Sequence, residues 1–350
     1  MQTGGLLIRI GILGLGHWGP NHLRTFSSLP DCAVLKAADL QASRLRALAP
    51  SFPQTEFVSD AREVLEGDGV DAVVIATPTG SHFKLAHAAL SAGKDVLCEK
   101  PLTLTARESR TLVTLARSRG RILMVGHVFL FNAGILWLKS YLDSGVAGRI
   151  LYVHATRTNL GPIRSDVNAA FDLASHDISI LNFLLGGVPL AVNATGQAYL
   201  APKVEDVVFV SLVYPGEVLA NVHVSWLDPK KVREITVVGE KRMVVWNDLS
   251  SEGPITVYDK GVIREPYYSD YGEFNLLVRQ GEISIPHVKQ YEPVRAQAAH
   301  FVDCIKERKT PRCDGEGGLA VVRVLEAVEN SLSARGKRVV LRDSVRRARR

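Results

Sequence analysis

A chain of 350 residues, 46% hydrophobic and 22% charged, is long enough for two domains with substantial cores. No stretch approaches about twenty consecutive apolar residues, and Met1 to Leu7 carries no basic segment ahead of a long apolar run, so neither a membrane span nor a secretory leader is expected. Much of the net charge of +6 collects in Arg346, Arg347, Arg349 and Arg350, and no aromatic-interleaved basic stretch accompanies it, so residues 342–350 read as a solvated tail rather than a nucleic-acid contact.

Strands and helices alternate through the first third. Ile8 to Leu13 reads as a compact apolar strand, Pro20 to Leu29 as a helix and Ala33 to Ala38 as a second strand. A helix over Ser43 to Ala49, a buried strand over Val70 to Ala76 and a helix from Ser81 to Ala92, stopped by Gly93, follow. Asp95 to Cys98 is a short strand. Thr105 and Glu108 form a capping box that opens a helix ending at Gly120, and Ile122 to Val125 is again a strand. This alternation predicts an α/β domain over residues 1–126, a doubly wound parallel sheet of the Rossmann type covered on both faces.

After Gly126 the pattern changes. Ile150 to Thr158, Ala191 to Ala198, Val207 to Val213, Leu219 to Trp226, Val232 to Val238 and Arg242 to Trp246 read as strands linked mostly by turns. A helix over Asp172 to Leu185 interrupts them, and helices near Val294 to Lys306 and Gly318 to Leu332 close the chain. Residues 127–350 are therefore expected to form an α+β domain on a large, mostly antiparallel open sheet. Cys32, Cys98, Cys304 and Cys313 form no CxxC pair, which fits reduced thiols in a cytoplasmic protein.

Gly14-Leu15-Gly16-His17-Trp18-Gly19 is a GxGxxG placed directly between the first strand and the first helix. Gly14 permits the tight turn, Gly16 lets a pyrophosphate approach the backbone, and Gly19 lets helix and strand pack closely. The unpaired N–H groups and positive dipole end of the helix, including the turn at His17 and Trp18, then face the phosphates. Asp39, at the end of the second strand, is placed to bond the adenosine ribose hydroxyls and to repel a 2′-phosphate, so NAD is expected over NADP. Thr77, Pro78 and Thr79 follow another strand at its carboxyl end, where they and His82 are expected to line the nicotinamide side.

Glu99-Lys100-Pro101 lies at a further carboxyl end. Lys100 there is suited to donate to a substrate hydroxyl and to stabilise the oxyanion that develops as hydride leaves. Taken by position alone, it also fits an exposed loop lysine. A cis bond before Pro101 would aim its side chain sharply. Asp172 and His176, four residues apart on a predicted helix, share a face. An imidazole there serves as general base and the carboxylate orients it, although a helix cap and a packed structural histidine fit the same spacing. No third ligand stands at metal-binding spacing, so no metal is expected. The run from Arg157 to Asn168 reads as a loop over the cleft, with Arg157, Asn159, Arg164 and Asn168 as candidate substrate contacts and either arginine suited to an anionic group. Trp226, Asp228, Lys230 and Arg233 form another candidate polar edge.

The glycine turn, the stretch from Asp71 to Thr79, the Glu99-Lys100-Pro101 element and the Asp172…His176 segment together resemble the Gfo/Idh/MocA oxidoreductases, over essentially the whole chain. The resemblance implies an N-terminal Rossmann domain, NAD, and a C-terminal open sheet that often serves in oligomer contacts, hence a homo-dimer or tetramer. It implies oxidation or reduction of secondary alcohols of sugars, inositols or nucleotide sugars, with Lys100 on the reacting hydroxyl, His176 as acid/base and Asp172 in support. It further implies Glu99 beside the cofactor. The stretches Gly16 to Asn21, Gly126 to Asn132 and Phe171 to Ile180 are similar to a branch where UDP-N-acetylglucosamine-type 3-dehydrogenation is common. That branch often has tyrosine in place of His17, proline in place of Ala133 and Ser175, and tryptophan in place of Phe171. Other activities on this fold are inositol or free-sugar dehydrogenation, NAD-dependent glycoside hydrolysis and non-catalytic NAD-binding regulation; a pure regulator has no need of Lys100, Asp172 and His176.

Overall fold

The computed structural model describes residues 7–161, 163–164, 167–263 and 277–341. The arginine-rich tail and Asp166 of the expected substrate loop lie outside these residues. The chain forms two compact units, residues 1–131 with 291–323, and residues 132–290 with 324–350.

The first unit is built on six strands, β1 (Ile8–Leu13), β2 (Cys32–Ala38), β3 (Glu56–Val58), β4 (Ala72–Ile75), β5 (Asp95–Cys98) and β6 (Leu123–Val125). All pair in parallel in the order β3-β2-β1-β4-β5-β6, the doubly wound sheet expected from the alternation. Strands β4, β5 and β6 are buried at every position, as a sheet covered on both faces requires. The helices are α1 (Gly19–Ser27), α2 (Ala42–Leu48), α3 (Ala61–Leu65), α4 (His82–Ser91) and α5 (Ala106–Ser118). The capping box expected at α5 is half formed: the Thr105 hydroxyl accepts from the Glu108 N–H.

In the second unit, α6 (Ala133–Asp143) leads to β7 (Ile150–Thr158), and α7 (Ser175–Leu185) to β8 (Ala191–Gln197), β9 (Val207–Val213) and β10 (Leu219–Ser225). Strands β11 (Val232–Gly239), β12 (Met243–Asn247), β13 (Ile255–Tyr258), β14 (Gly261–Ile263), β15 (Leu277–Arg279) and β16 (Ile283–Ser284) follow. Helices α8 (Pro293–Glu307) and α9 (Gly315–Ser333) and strand β17 (Val339–Val340) complete the chain. Nine of the described strands make one sheet in the order β16-β13-β12-β11-β7-β10-β9-β8-β17; only β7 and β10 pair in parallel in it. Alternation along β9 and β10 buries Val208, Val210, Ala220 and Val222 and exposes Phe209 and Leu219 on the other face. No helix among the described residues is long and apolar enough to cross a membrane.

The structure departs from the sequence reading in the placement of residues 291–323 and in helix α6, among other elements. Residues 291–323, expected in the second domain, belong with the first unit: Phe301 of α8 meets Phe26 of α1 edge-on at 6.4 Å, and Arg308 bonds the buried Asp95 at 2.8 Å. Such pairings join residues more than two hundred positions apart and leave no local signature. Helix α6 was not expected; Gly134 in its first turn lowers helix propensity. The glycine is required there: a Cβ would stand 2.7 Å from the Trp246 indole. Asn132 caps the helix through Gly134 and Ile135 N–H groups.

Candidate active site

In the first unit, Gly14 takes the left-handed conformation, φ +89°, and a Cβ there would stand 2.8 Å from the Ala76 carbonyl and from Thr77 Cγ2. A Cβ at Gly19 would lie 2.1 Å from the Gly14 carbonyl oxygen, the close helix–strand packing expected of the third glycine. A Cβ at Gly16 would meet the Arg44 guanidinium at 3.6 Å, an ordinary contact. The N-cap of α1, Trp18, makes no side-chain cap, and the first turn holds no acidic residue. This is a cradle with free N–H groups and a positive dipole end, and it fits a dinucleotide pyrophosphate. His17 is exposed beside Trp18, their rings edge-on at 5.9 Å.

Asp39 is buried at the end of β2. Its carboxylate accepts from Leu15 N at 2.7 Å and Gln41 N at 2.8 Å, with Arg44 Nη1 at 3.2 Å. Burial pushes the carboxyl up, and these N–H groups and the guanidinium outweigh it, holding Asp39 below its ordinary pKa and therefore charged. Thr77 closes the other side of the turn, packed on Gly14 and bonded to Ser81 Oγ at 2.7 Å. Thr79 is buried and Pro78 exposed just beyond.

His82, expected on the nicotinamide side, has its ring committed to backbone carbonyls. Its ring is 1% exposed and spans two carbonyls, Pro101 at 3.0 Å and Thr77 at 2.9 Å. Burial lowers its pKa by more than the carbonyls raise it, so a neutral ring donates to one of them and staples the segment after β4 to the segment after β5. Lys100 sits at the carboxyl end of β5, and the bond to Pro101 is cis. Glu99 is turned inward: its carboxylate meets His22 Nε2 of α1 at 2.7 Å and accepts from Lys100 N at 3.2 Å. Burial pushes Glu99 up, while the His22 bond and the Lys100 charge bring it below its ordinary value.

In the second unit the predicted helix over Asp172 to Leu185 is two pieces. Residues 170–174 form a π-turn, and α7 starts at Ser175. The turn places Asp172 between Arg164 Nη1 and Trp226 Nε1, each 3.3 Å from a carboxylate oxygen. His176 opens α7, where its carbonyl accepts from Ser179 Oγ. Single-turn π segments of this kind are frequent at functional sites.

Two expected substrate contacts are committed elsewhere. Arg157 belongs to β7, is 4% exposed, and makes a two-pronged ion pair with the buried Asp177, both bonds 2.8 Å. Asn168 donates to Glu205 at 3.0 Å and Glu329 at 2.5 Å, and its oxygen caps the π-turn at Phe171 N. Asn168 thus spends both amide hydrogens on carboxylates, and Arg157 is held by the buried Asp177. Arg164 remains at the site through Asp172, and Asn159 follows β7 with its N–H on the Ser225 carbonyl. Of the other polar edge, Trp226 is drawn inward to Asp172, while Arg233 pairs with Asp248. Sequence reasoning missed His22 and His127; the latter follows β6 at a carboxyl end, the one signal that would have found it.

Residues 8–127 match the oxidoreductase family with an NAD-binding Rossmann fold (GFO_IDH_MocA), and residues 135–245 match the GFO/IDH/MocA C-terminal domain. The UDP-N-acetylglucosamine 3-dehydrogenase of Acidithiobacillus ferrooxidans is 27% identical over 329 residues, 92% of this chain and 97% of that protein. Inositol 2-dehydrogenase 2 of Saccharopolyspora erythraea is 32% identical, over 63% of this chain and 67% of that protein. A crystal structure of the Acidithiobacillus enzyme superposes with a TM-score of 0.79 at 25% identity, covering 94% of this chain and 99% of that one.

Proposed function

Because the chain belongs to the GFO/IDH/MocA oxidoreductases, whose N-terminal domain is an NAD-binding Rossmann fold, we propose that it is an NAD-dependent dehydrogenase of a sugar secondary alcohol, with the 3-hydroxyl of a UDP-N-acetylglucosamine-type nucleotide sugar as substrate. The observation that carries the chemistry is Lys100 at the carboxyl end of β5, the neighbour of β4, whose own end packs on the glycine turn. The substrate class is supported by the likeness to the Acidithiobacillus enzyme along nearly the full chain.

A nicotinamide dinucleotide held by the turn from Gly14 to Gly19 and by Asp39 would supply the hydride acceptor for the alcohol carbon and, in the reverse direction, the hydride donor. Lys100 donates to the reacting oxygen and stabilises the negative charge that builds there. His176 takes the hydroxyl proton, and Asp172, held by Arg164 and Trp226, supports it with a fixed negative charge. The charged Asp39 selects NAD by repelling a 2′-phosphate, a repulsion that Arg44 tempers. The face of the large sheet that exposes Tyr152, Phe209 and Leu219 mates with a second copy of the chain.

The test is reduced-nicotinamide absorbance with NAD and, in turn, UDP-N-acetylglucosamine, its uronic acid, glucose and myo-inositol. Reduction with a UDP-sugar alone is expected. Reduction with myo-inositol alone would replace the reading with the inositol dehydrogenase one, which the Saccharopolyspora likeness favours. Lys100→Ala and His176→Ala are each expected to lose turnover by about a hundredfold or more while still binding NAD. Near-normal turnover in either variant removes that residue from the mechanism.

A further inference from the structure

Arg164 and Trp226 meet the Asp172 carboxylate, and a second set of bonds holds the π-turn that carries it. Asn168 opens that turn: its side-chain oxygen accepts from Phe171 N at 3.1 Å and its carbonyl from Asp172 N at 3.1 Å. A side-chain oxygen on a backbone N–H three residues on is the bond that caps a helix start. The buried Asn168 amide then meets two carboxylates from distant segments, Glu205 ahead of β9 at 3.0 Å and Glu329 of α9 at 2.5 Å. Glu205 adds a backbone bond, its carbonyl accepting from Ala169 N at 2.9 Å. The next residue, Asp206, reaches the other side of Asp172. Its carbonyl accepts from Trp226 N at 3.0 Å, and the Trp226 indole donates to the Asp172 carboxylate. Asp206 is itself buried and fixed, its carboxylate accepting from Tyr199 N and Leu200 N. The adjacent residues Glu205 and Asp206 therefore hold both the turn that carries Asp172 and the indole that its carboxylate meets.

We propose that Asn168 is a positioning residue for Asp172: clamped by Glu205 and Glu329, it fixes the π-turn so that the Asp172 carboxylate stands against the Trp226 indole. A π-turn is a rare backbone form that needs support from outside itself. Here the support carries a penalty of its own, because two carboxylates converge on one amide nitrogen and their like charges repel. Burial raises the Glu329 carboxyl above its ordinary value, the Asn168 bond opposes that rise, and the Glu205 charge adds to it. The amide holds the pair together by donating to each carboxylate. Without it they separate and release the turn. Asparagine suits the position because its oxygen accepts at Phe171 while its nitrogen donates twice. An ionised aspartate there has the oxygen and no donor.

The inference rests on Asp172 as a support of the reaction, but its first readout does not. The full-length protein is labelled with nitrogen-15 at its four indoles, and the Trp226 N–H resonance is assigned with Trp226→Phe. Asp172→Ala defines the resonance of an indole that has lost this acceptor. Asn168→Ala and Asn168→Asp are each expected to move the Trp226 resonance toward that position. Adding Glu205→Gln and Glu329→Gln to Asn168→Asp exchanges donors for acceptors, and is expected to bring the resonance back toward its wild-type position. In the turnover assay both single variants should lose about tenfold or more in kcat, as a misplaced group does. Their NAD dissociation constants should be unchanged, and the triple variant should recover kcat. Should Asn168→Ala fail to fold, Asn168→Asp and the triple variant carry the comparison. A wild-type Trp226 resonance in the folded single variants, or a triple variant displaced as far as Asn168→Asp, overturns the proposal. So does a displaced resonance with unchanged kcat where Asp172→Ala is impaired. Displaced resonances together with full turnover in Asp172→Ala uphold the hold of Asn168 on Asp172 and refute instead the part of Asp172 in the reaction.

Discussion

Charge placement decides most at the scale of single residues. Arg157 and Arg164 look alike in the sequence, each in a polar stretch before the Asp172 segment. One is locked in a dry two-pronged pair with Asp177 and the other holds Asp172. Arg157→Ala leaves a buried carboxylate without its partner, so it is expected to destabilise the protein by about 3–5 kcal/mol, measured by denaturant unfolding. Any effect on substrate KM should be secondary to that loss. Asp39 acts through charge on the cofactor. Isothermal titration is expected to show NAD binding more tightly than NADP, and Asp39→Ala to narrow the ratio. Tighter binding of NADP by the unaltered protein would reverse the assignment. Neither the fate of Arg157 nor the buried bonds of Asn168 was legible beforehand, because polarity and spacing do not reveal which side of a strand faces Asp177 or Glu329.

Among the elements, the glycine turn and α1 were read correctly in place and in kind, since their roles depend on backbone freedom that only glycine supplies. Gly19 shows the constraint directly, with a Cβ clashing with the Gly14 carbonyl oxygen. Gly19→Ala is expected to push α1 off β1. At about 1–3 kcal/mol for overpacking of this kind, NAD affinity should fall by about tenfold or more in a titration, with the other unit still folded. The Asp172 segment was legible only in part. Its residues were singled out, but a uniform helix was expected where a π-turn precedes α7. Asp172 therefore does not sit on the same regular helix as His176. Its position is set by Arg164 and Trp226, one just past β7 and the other just past β10.

At the level of the whole molecule, one face of the large sheet carries exposed large apolar side chains among polar ones. Tyr152, Phe209 and Leu219 are each about half exposed, on β7, β9 and β10, which pair directly. Light scattering on the purified protein is expected to give a dimer or tetramer, and Tyr152→Glu with Leu219→Glu to give a smaller species that still binds NAD. A monomeric unaltered protein would assign that face to another partner. The sequence by itself determined the two architectures, the glycine turn between β1 and α1, Asp39 at the end of β2 and Lys100 at the end of β5, because glycine geometry, strand periodicity and carboxyl-end placement are local properties of a chain. Only the tertiary structure decided that residues 291–323 return to the first unit, that His82 is bonded to backbone carbonyls, and that Arg157 is spent on Asp177. Those outcomes depend on which distant groups share a buried space, where desolvation makes every unpaired charge or polar atom costly and so dictates its partner.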